Sequence, residues 1–136
     1  MTDPRPQPSR TRRLFLIGLT GGVGAGKTTA ERILREAGIP VADADQWAHE
    51  VLATDTRVQR ALRAHFAARH AARVTTPDGA LDRRAIAAIA FQDAVSLAFL
   101  ERLIHPRVRR RAAAWRAEQR AAGARVAVVI VPLLFE

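Results

Sequence analysis

Cysteine is absent from this 136-residue chain, and lysine occurs only once, as Lys27, among 22 basic residues. The missing thiols exclude disulfides and thiolate metal sites and fit a reducing compartment, so we expect a cytoplasmic protein. Arginine usage on this scale indicates a genome-composition bias, which makes the position of the single lysine informative. Aromatic residues contribute only 5%, so aliphatic and alanine side chains must fill the core of what the length predicts to be one domain.

Long hydrophobic segments are also missing. The apolar runs at residues 14–19 and 126–135 are far too short to span a bilayer, and Pro132 interrupts the second. Arginines precede the first run, but the run is short and leads into glycines without a small-residue cleavage pattern, so we interpret it as a buried strand rather than a signal peptide. We therefore expect no membrane partner. Residues 1–12 are rich in proline, arginine, serine and glutamine and are predicted to form a disordered tail.

Acidic residues are few, since 13 carboxylates stand against 22 basic side chains and give a formal net charge of +9. A charge of this size favours anionic partners such as nucleotides, phosphorylated metabolites, nucleic acid or acidic lipid. The sequence contains no recognised nucleic-acid motif and no basic patch interleaved with aromatic residues. We therefore expect a phosphorylated small molecule, rather than nucleic acid, as the partner.

Apolar runs and glycine stops predict an α/β fold with a parallel sheet. Residues 14–20 and 126–131 are continuous apolar runs, typical of strands that are buried on both faces of such a sheet. Residues 39–44 read as a further strand between them. A helix is expected over residues 27–37, with Gly38 as its C-terminal stop.

The segment between the second and third predicted strands has a helical pattern. It covers residues 46–123 and is broken at residues 75–79 and again at His105-Pro106. Because proline lacks the N–H that a helix interior needs, Pro106 is expected to open a new helix. The order of elements predicts a three-layer α/β domain over residues 13–136, with a parallel sheet and a helical insertion.

Residues 21–28 read GGVGAGKT and fit the phosphate-binding pattern G-x-x-x-x-G-K-[ST]. Glycines let the backbone turn its N–H groups toward phosphate oxygens, and the helix that follows adds the positive end of its dipole. Lys27 is expected to reach the β- and γ-phosphates, and the Thr28 hydroxyl can ligate Mg²⁺. The alternative is a glycine-rich turn with a chance Gly-Lys-Thr, which the strand before it and the helix after it disfavour.

Two aspartates, Asp43 and Asp45, flank Ala44 at the carboxyl end of the second predicted strand. Ligands of open parallel sheets bind beyond the carboxyl ends of the strands, so this pair is expected near the bound phosphates. A carboxylate there can orient or deprotonate an acceptor hydroxyl, or hold Mg²⁺ through water. Period-two alternation would aim both side chains at the same face. The alternative for Asp45 is a helix N-cap.

Further charged and aromatic side chains have simple structural alternatives. Glu136 follows the third strand, where it is either a substrate ligand or an exposed carboxylate at the end of the sequence. His105 is more often a turn or core residue than a functional one. The arginines at 107 and 109–111 suit a solvated helix face, although one or two of them can meet an anionic substrate. Trp47 and Trp115 are predicted to be packing residues.

Five separated segments resemble, in the same order, motifs of the dephospho-coenzyme A kinase family. They are residues 19–29 (LTGGVGAGKTT), 41–45 (VADAD), 79–83 (GALDR), 103–106 (LIHP) and 131–136 (VPLLFE). Each segment except the phosphate-binding one is a weak signal by itself. The ordered set covers nearly everything from Leu14 to Glu136 and is specific to this family among nucleotide kinases.

The resemblance implies a P-loop kinase fold and transfer of a phosphoryl group from ATP, with Mg²⁺, to the ribose 3′-hydroxyl of dephospho-coenzyme A. It implies that Asp45 orients or deprotonates that hydroxyl and that Lys27 assists transfer. It implies that the helical insertion forms the coenzyme A face of the cleft, in a monomer or weak homo-oligomer. The residues implied to hold ATP are Gly24, Ala25, Gly26, Lys27, Thr28 and Thr29, with Thr28 at the metal. Those implied near the substrate are Asp43, His105, Leu133 and Glu136.

The family continues beyond the position of Glu136 into a lid and an adenine-contacting segment. The sequence ends here directly after a strand, so we expect a truncated domain, and a non-catalytic ATP-binding fragment stays open as an alternative. A kinase of another small hydroxyl compound, such as a nucleoside or shikimate, is the other alternative. A GTPase switch is excluded, because the guanine-reading N-K-x-D pattern needs a second lysine.

Overall fold

The computed structural model describes residues 13–21 and 26–131, which form three strands and five helices. The predicted tail, residues 1–12, lies outside the described residues. None of the described helices is long and apolar enough to cross a membrane. The strands are β1 (Phe15–Leu19), β2 (Val41–Asp43) and β3 (Val126–Ile130), and the helices are α1 (Lys27–Glu36), α2 (Ala44–Thr54), α3 (Thr56–His70), α4 (Arg83–Ala90) and α5 (Ala94–Ala121).

The sheet is parallel, with strand order β1-β3-β2, which confirms the predicted α/β architecture. In the pairing register, Leu19 and Asp43 both lie opposite Ile130, so the carboxyl ends of all three strands are level. The Val131 N–H continues this ladder by donating to the Leu19 carbonyl at 2.8 Å. The chain therefore leaves every strand at one common edge of the sheet.

Strand β1 is not buried on both faces, so that prediction is wrong. Phe15 is 67% exposed, Ile17 51% and Leu16 41%. The physical reason is position in the sheet, because β1 pairs only with β3 within the described part of the chain. An apolar run indicates that a strand can be buried. Whether it is buried depends on the elements that pack against it.

The main core lies among the four helices that follow β2. Val58, Leu62 and Phe66 of α3 are fully buried, and they pack with Ile86 of α4 and Leu100 of α5. A smaller cluster is formed by the strand residues Val41, Val128 and Ile130, and Leu34 of α1 packs against it. Helix α1 itself buries no residue completely.

Each of these four helices begins with an aspartate that accepts a hydrogen bond from the backbone of the first turn. The caps are Asp43, Asp55, Asp82 and Asp93, which precede α2, α3, α4 and α5 respectively. Aspartate is among the best N-cap residues, because its side-chain oxygen satisfies an N–H that the helix cannot. Breaks at residues 55 and 91–93 were not predicted from the sequence.

Helix α5 runs without interruption through Pro106, so the prediction of a new helix at that residue is wrong. Pro106 deprives the Arg102 carbonyl of its helical N–H partner. The neighbouring Leu103 carbonyl accepts a hydrogen bond from Nη1 of Arg107 at 2.7 Å. Buried Leu100 and Ile104 hold the preceding turn against the core, and this tertiary packing overrides the local preference of proline.

A polar cluster around Ser96 joins α3 to α5. The fully buried Ser96 hydroxyl donates to Oδ2 of Asp93 at 2.7 Å, and Nε2 of His65 and of His70 lie 2.9 and 2.8 Å from it. A hydroxyl has one hydrogen and two lone pairs, so both imidazoles must donate from Nε2. Hydrogen bonds from Arg69, and then from Ser96, lower the pKa of Asp93 well below its usual range.

Candidate active site

The phosphate-binding motif ends at the start of α1. Gly26 is the N-cap of this helix and has a φ of 76°, a left-handed conformation that favours glycine over residues with a side chain. Lys27 is the first helical residue, and Thr28 and Thr29 follow it in the first turn. Gly24 and Ala25 lie outside the described residues. The motif thus meets the helix as the sequence predicted, with the positive end of the helix dipole at Gly26.

The side chains of this first turn are accessible. Lys27 is half-buried, and Thr28 and Thr29 are exposed. Within residues 13–21 and 26–131, no carboxylate forms an ion pair with Lys27. An ammonium group at a helix N-terminus, with no counter-ion among the residues that the structure describes, is suited to an anionic ligand.

Asp43 lies at the same edge of the sheet, two strands away from the end of β1. Neighbouring strands are ~4.8 Å apart, so the register places its backbone about 10 Å from that of Leu19. Its Oδ1 accepts a hydrogen bond from the Asp45 N–H at 2.9 Å. Asp43 is therefore the helix cap, and the alternative that gave this role to Asp45 is wrong.

Asp45 lies inside the first turn of α2, not on an extension of β2. The period-two argument for a common face with Asp43 therefore does not hold, because the backbone turns helical at Ala44. Because Asp43 provides the cap, the Asp45 carboxylate is available for another role. Its Oδ2 is 3.3 Å from Nε2 of His49, one helical turn further on, and the side chain remains 28% exposed.

Two cavities meet at Asp45. The smaller one, of about 110 Å³, lies toward the sheet and is lined by Asp45 together with His105 and Val108 of α5 and Val131 after β3. The structure thus brings His105 and Asp45 to one cavity, at the level where the strands end. His105 lies mid-helix in α5, and its imidazole is half-buried. Leu133 and Glu136 lie outside the described residues.

The second cavity, of about 160 Å³, opens between α2, α4 and α5. Asp45 and His49 line one side of it and Arg83 another. The remaining surface is apolar and comes from Ala48, Leu52, Ile86, Ala87, Ala90, Phe91, Leu97, Leu100 and Ile104. The Asp45 carboxylate thus lies between the edge of the sheet and an apolar groove in the helical region.

Comparison with known proteins agrees with this geometry. The sequence profile of the dephospho-CoA kinase family matches residues 15–136. This chain belongs to the dephospho-CoA kinase family.

Curated dephospho-CoA kinases support the assignment. The enzyme of Geobacter sulfurreducens is 41% identical over 121 residues, which are 89% of this chain and 59% of the relative. That of Parasynechococcus marenigrum is 45% identical over 120 residues, or 88% of this chain and 57% of the relative. The chain therefore spans somewhat more than half the length of these relatives.

Solved structures share the fold. A protein from Thermus thermophilus superposes with a TM-score of 0.70 at 33% identity, covering 90% of this chain and 58% of that protein. The dephospho-CoA kinase from Campylobacter jejuni superposes with a TM-score of 0.72 at 22% identity, covering 89% and 58%. At that lower identity the likeness concerns the fold alone.

The arginine run of this family member is partly engaged in ion pairs. Nε of Arg107 donates to Oδ2 of Asp55 at 2.7 Å, and Nη1 of Arg111 lies 3.3 Å from Oε2 of Glu50. The hydrogen bond from Arg107 is the main cause that lowers the pKa of Asp55. These two arginines tie α5 to the end of α2, while Arg109 and Arg110 are exposed, as the solvated-face interpretation predicted.

The tryptophans pack as predicted. The rings of Trp47 and Trp115 meet edge to face, with centroids 5.9 Å apart, and Trp47 is buried between α2 and the sheet. Sequence reasoning missed His49 and gave Arg83 no role. A signal for His49 was available, because an i, i+4 spacing from Asp45 puts the two on one helix face. No local pattern shows that Arg83, on another helix, lines the same cavity.

Proposed function

We propose that this chain provides the phosphate-binding and acceptor-binding parts of a dephospho-CoA kinase, which transfers the γ-phosphoryl group of ATP to the ribose 3′-hydroxyl of dephospho-coenzyme A. The observation that carries the proposal is the position of Asp45. Its carboxylate does not serve as a helix cap, it lies at the edge of the sheet where β1 leads into the P-loop, and it lines two cavities. Family membership supports the choice of substrates.

Residues 24–29 hold the ATP phosphates in this proposal. Lys27 neutralises charge on the β- and γ-phosphates, and backbone N–H groups of the loop and first turn of α1 donate to their oxygens. The loop positions the γ-phosphorus toward Asp45, along the common edge of the strands. Catalysis of phosphoryl transfer rests mainly on such positioning and charge stabilisation.

The residues present fit a magnesium ion held mostly by substrate. The exposed Thr28 hydroxyl is an oxygen ligand of the kind that Mg²⁺ prefers, and the Asp43 and Asp45 carboxylates can act through water. No group of three or more metal-ligating side chains occurs in the described ranges. When bound, Mg²⁺ would supply charge neutralisation at the β- and γ-phosphate oxygens.

Asp45 acts on the acceptor. Its carboxylate takes the proton of the 3′-hydroxyl as the oxygen attacks the γ-phosphorus, and the bond to the β-γ bridging oxygen breaks to release ADP. His49, within 3.3 Å, holds the carboxylate in one orientation. His105 contacts the same substrate from the sheet side of the site, with Asp43, Leu133 and Glu136 as further contacts. The apolar groove receives the remainder of the acceptor.

The proposal also includes a cytoplasmic location and a monomeric or weakly homo-oligomeric state.

The test compares Asp45→Asn with Glu118→Gln, a control that removes an exposed carboxylate of α5 from a site with no ion pair in the described residues. ADP release is measured with dephospho-coenzyme A, adenosine, AMP and shikimate as acceptors, and ATP binding by calorimetry. Asp45→Asn is expected to keep ATP affinity and to lose ~10²–10⁴-fold in transfer. Stimulation by another acceptor, without stimulation by dephospho-coenzyme A, would refute the substrate assignment. Unchanged transfer by Asp45→Asn would refute the role of the carboxylate.

A further inference from the structure

Arg83 lies on the rim of the groove whose other side holds Asp45. It is the first residue of α4, directly after the cap Asp82, and its side chain is exposed. It lines the apolar cavity between α2, α4 and α5 and also the adjoining one beside Gln46, Glu50 and Gln59. His49 borders both cavities too. The guanidinium therefore stands where an elongated ligand, once bound at Asp45, would leave the groove.

Arg83 has no hydrogen-bond or ion-pair partner among the described residues, in contrast to three arginines that join the helices to one another. Arg69 is bonded to Asp93, Arg107 to Asp55 and Arg111 to Glu50. Among the residues that the structure describes, no carboxylate or carbonyl accepts a hydrogen bond from Arg83. Its planar guanidinium keeps a full set of donors in the fork geometry that matches a phosphate.

The chemistry of the groove limits the kind of ligand. Asp45 offers a carboxylate that can accept a proton from a hydroxyl, most of the other lining residues are apolar, and Arg83 adds a positive charge. Helix α2 rises about 1.5 Å per residue, so its groove-facing stretch from Asp45 to Leu52 is ~10 Å long. A free nucleoside offers no negative charge to the guanidinium, whereas an acceptor with a phosphate beyond its reacting hydroxyl does.

We propose that Arg83 binds the diphosphate of the acceptor and thereby selects dephospho-coenzyme A over uncharged nucleosides. The proposal rests on the proposed function, because it takes Asp45 as the end of the groove that meets the 3′-hydroxyl. Arg83 contacts the substrate but not the reacting atoms, so it contributes to binding and specificity. Its loss should weaken acceptor binding while leaving the ATP site intact.

The test uses Arg83→Met, which keeps an aliphatic stem, and Arg84→Met as the matched control. Arg84 is the next residue of α4, is also exposed and lines none of the cavities described above. Dephospho-coenzyme A, adenosine and ATP are titrated separately into the full chain by calorimetry. Arg83→Met is expected to weaken dephospho-coenzyme A binding ~10- to 100-fold, the scale of a charge-assisted hydrogen bond. Its affinities for adenosine and ATP should match those of the original chain, as should all three affinities of Arg84→Met. Arg83→Lys should recover part of the loss, since it restores charge without the fork.

The outcomes separate the two proposals. If the original chain binds dephospho-coenzyme A and Arg83→Met binds it equally well, the role of Arg83 is wrong and the proposed function stands. A parallel loss of ATP affinity in Arg83→Met would place the guanidinium at the nucleotide instead, and would also overturn the inference. If the original chain binds ATP but shows no affinity for dephospho-coenzyme A, both proposals fail.

Discussion

Helices α2–α5 bury their apolar side chains among themselves, whereas β1 and α1 leave most of theirs in contact with solvent. Val58, Leu62 and Phe66 of α3 have no exposed surface, while Phe15 of β1 is 67% exposed and Ile33 of α1 57%. The two regions differ in what holds them. The helical region has its own core, and the P-loop unit depends on backbone pairing of β1 with β3 and on light packing of α1.

This difference places the well-packed core in the helical region and the proposed phosphate site in the lightly packed one. Asp45 and the proposed acceptor groove belong to the well-packed region, and Lys27 to the lightly packed one. Ligand-binding elements are commonly drawn from the less stable parts of a fold. We therefore expect substitutions in the helical core to govern global unfolding, and ligands at the P-loop to act mainly on the β1–α1 unit.

Phe66→Ala should have the largest effect on stability. Truncating a fully buried phenylalanine removes its burial and leaves a cavity, at a cost of about 3–5 kcal/mol in the free energy of unfolding. Phe91→Ala is the control, because this phenylalanine is 62% exposed and should change stability by less than ~1 kcal/mol. Urea unfolding followed by circular dichroism measures both. Equal effects of the two substitutions would show that the helical core does not hold the fold.

Ser96→Ala should have the next largest effect. The hydroxyl links His65 and His70 of α3 to Asp93 at the start of α5, and its removal takes a hydrogen-bond partner from each of these three half-buried side chains. The expected cost is about 1–3 kcal/mol, measured by the same unfolding experiment. Val95→Ala, at the neighbouring residue that is 50% exposed, is the control. A Ser96→Ala protein as stable as the control would reduce the cluster to a packing contact.

The smallest expected effect is the change in the free energy of unfolding at acidic pH. Burial, and then the charge of Arg69, lowers the pKa of His65 below its usual value of 6.5. Because the unfolded chain then binds the proton more tightly, this contribution to stability is complete above pH 6.5 and declines as the pH falls toward the lowered pKa. The free energy of unfolding should therefore decrease between about pH 7 and pH 5. His65→Gln should flatten that dependence, and an unchanged slope in this variant would contradict the assignment.

Part of the fold could be predicted from short-range patterns in the sequence. The three strands and the end of α1 near Gly38 were predicted correctly, because apolar runs and glycine stops are properties of short segments. The course of α5 through Pro106 and the exposure of β1 were not, since both depend on packing between distant segments. The caps Asp55 and Asp93 were visible in the sequence, but their residue type alone does not separate a cap from a surface carboxylate.

The candidate site divides in the same way. Asp45 and Lys27 were predicted from motifs, and the level carboxyl ends of the strands explain why such motifs lie near one another. Which of Asp43 and Asp45 caps α2 depends on the residue at which this helix begins. It begins at Ala44, so Asp43 is the cap. Arg83 joins the groove only through the packing of α4 against α5, which no spacing in the sequence records.

The most direct test of the account is the affinity of the chain for ATP with and without Lys27. Calorimetric titration of Lys27→Ala should show loss of most ATP binding, because the substitution removes the ammonium group from the phosphate site. Arg32→Ala is the control, since this exposed arginine of the same helix has no ion pair in the described residues. The account predicts that Arg32→Ala binds ATP as the original chain does. Normal ATP affinity in Lys27→Ala would contradict it.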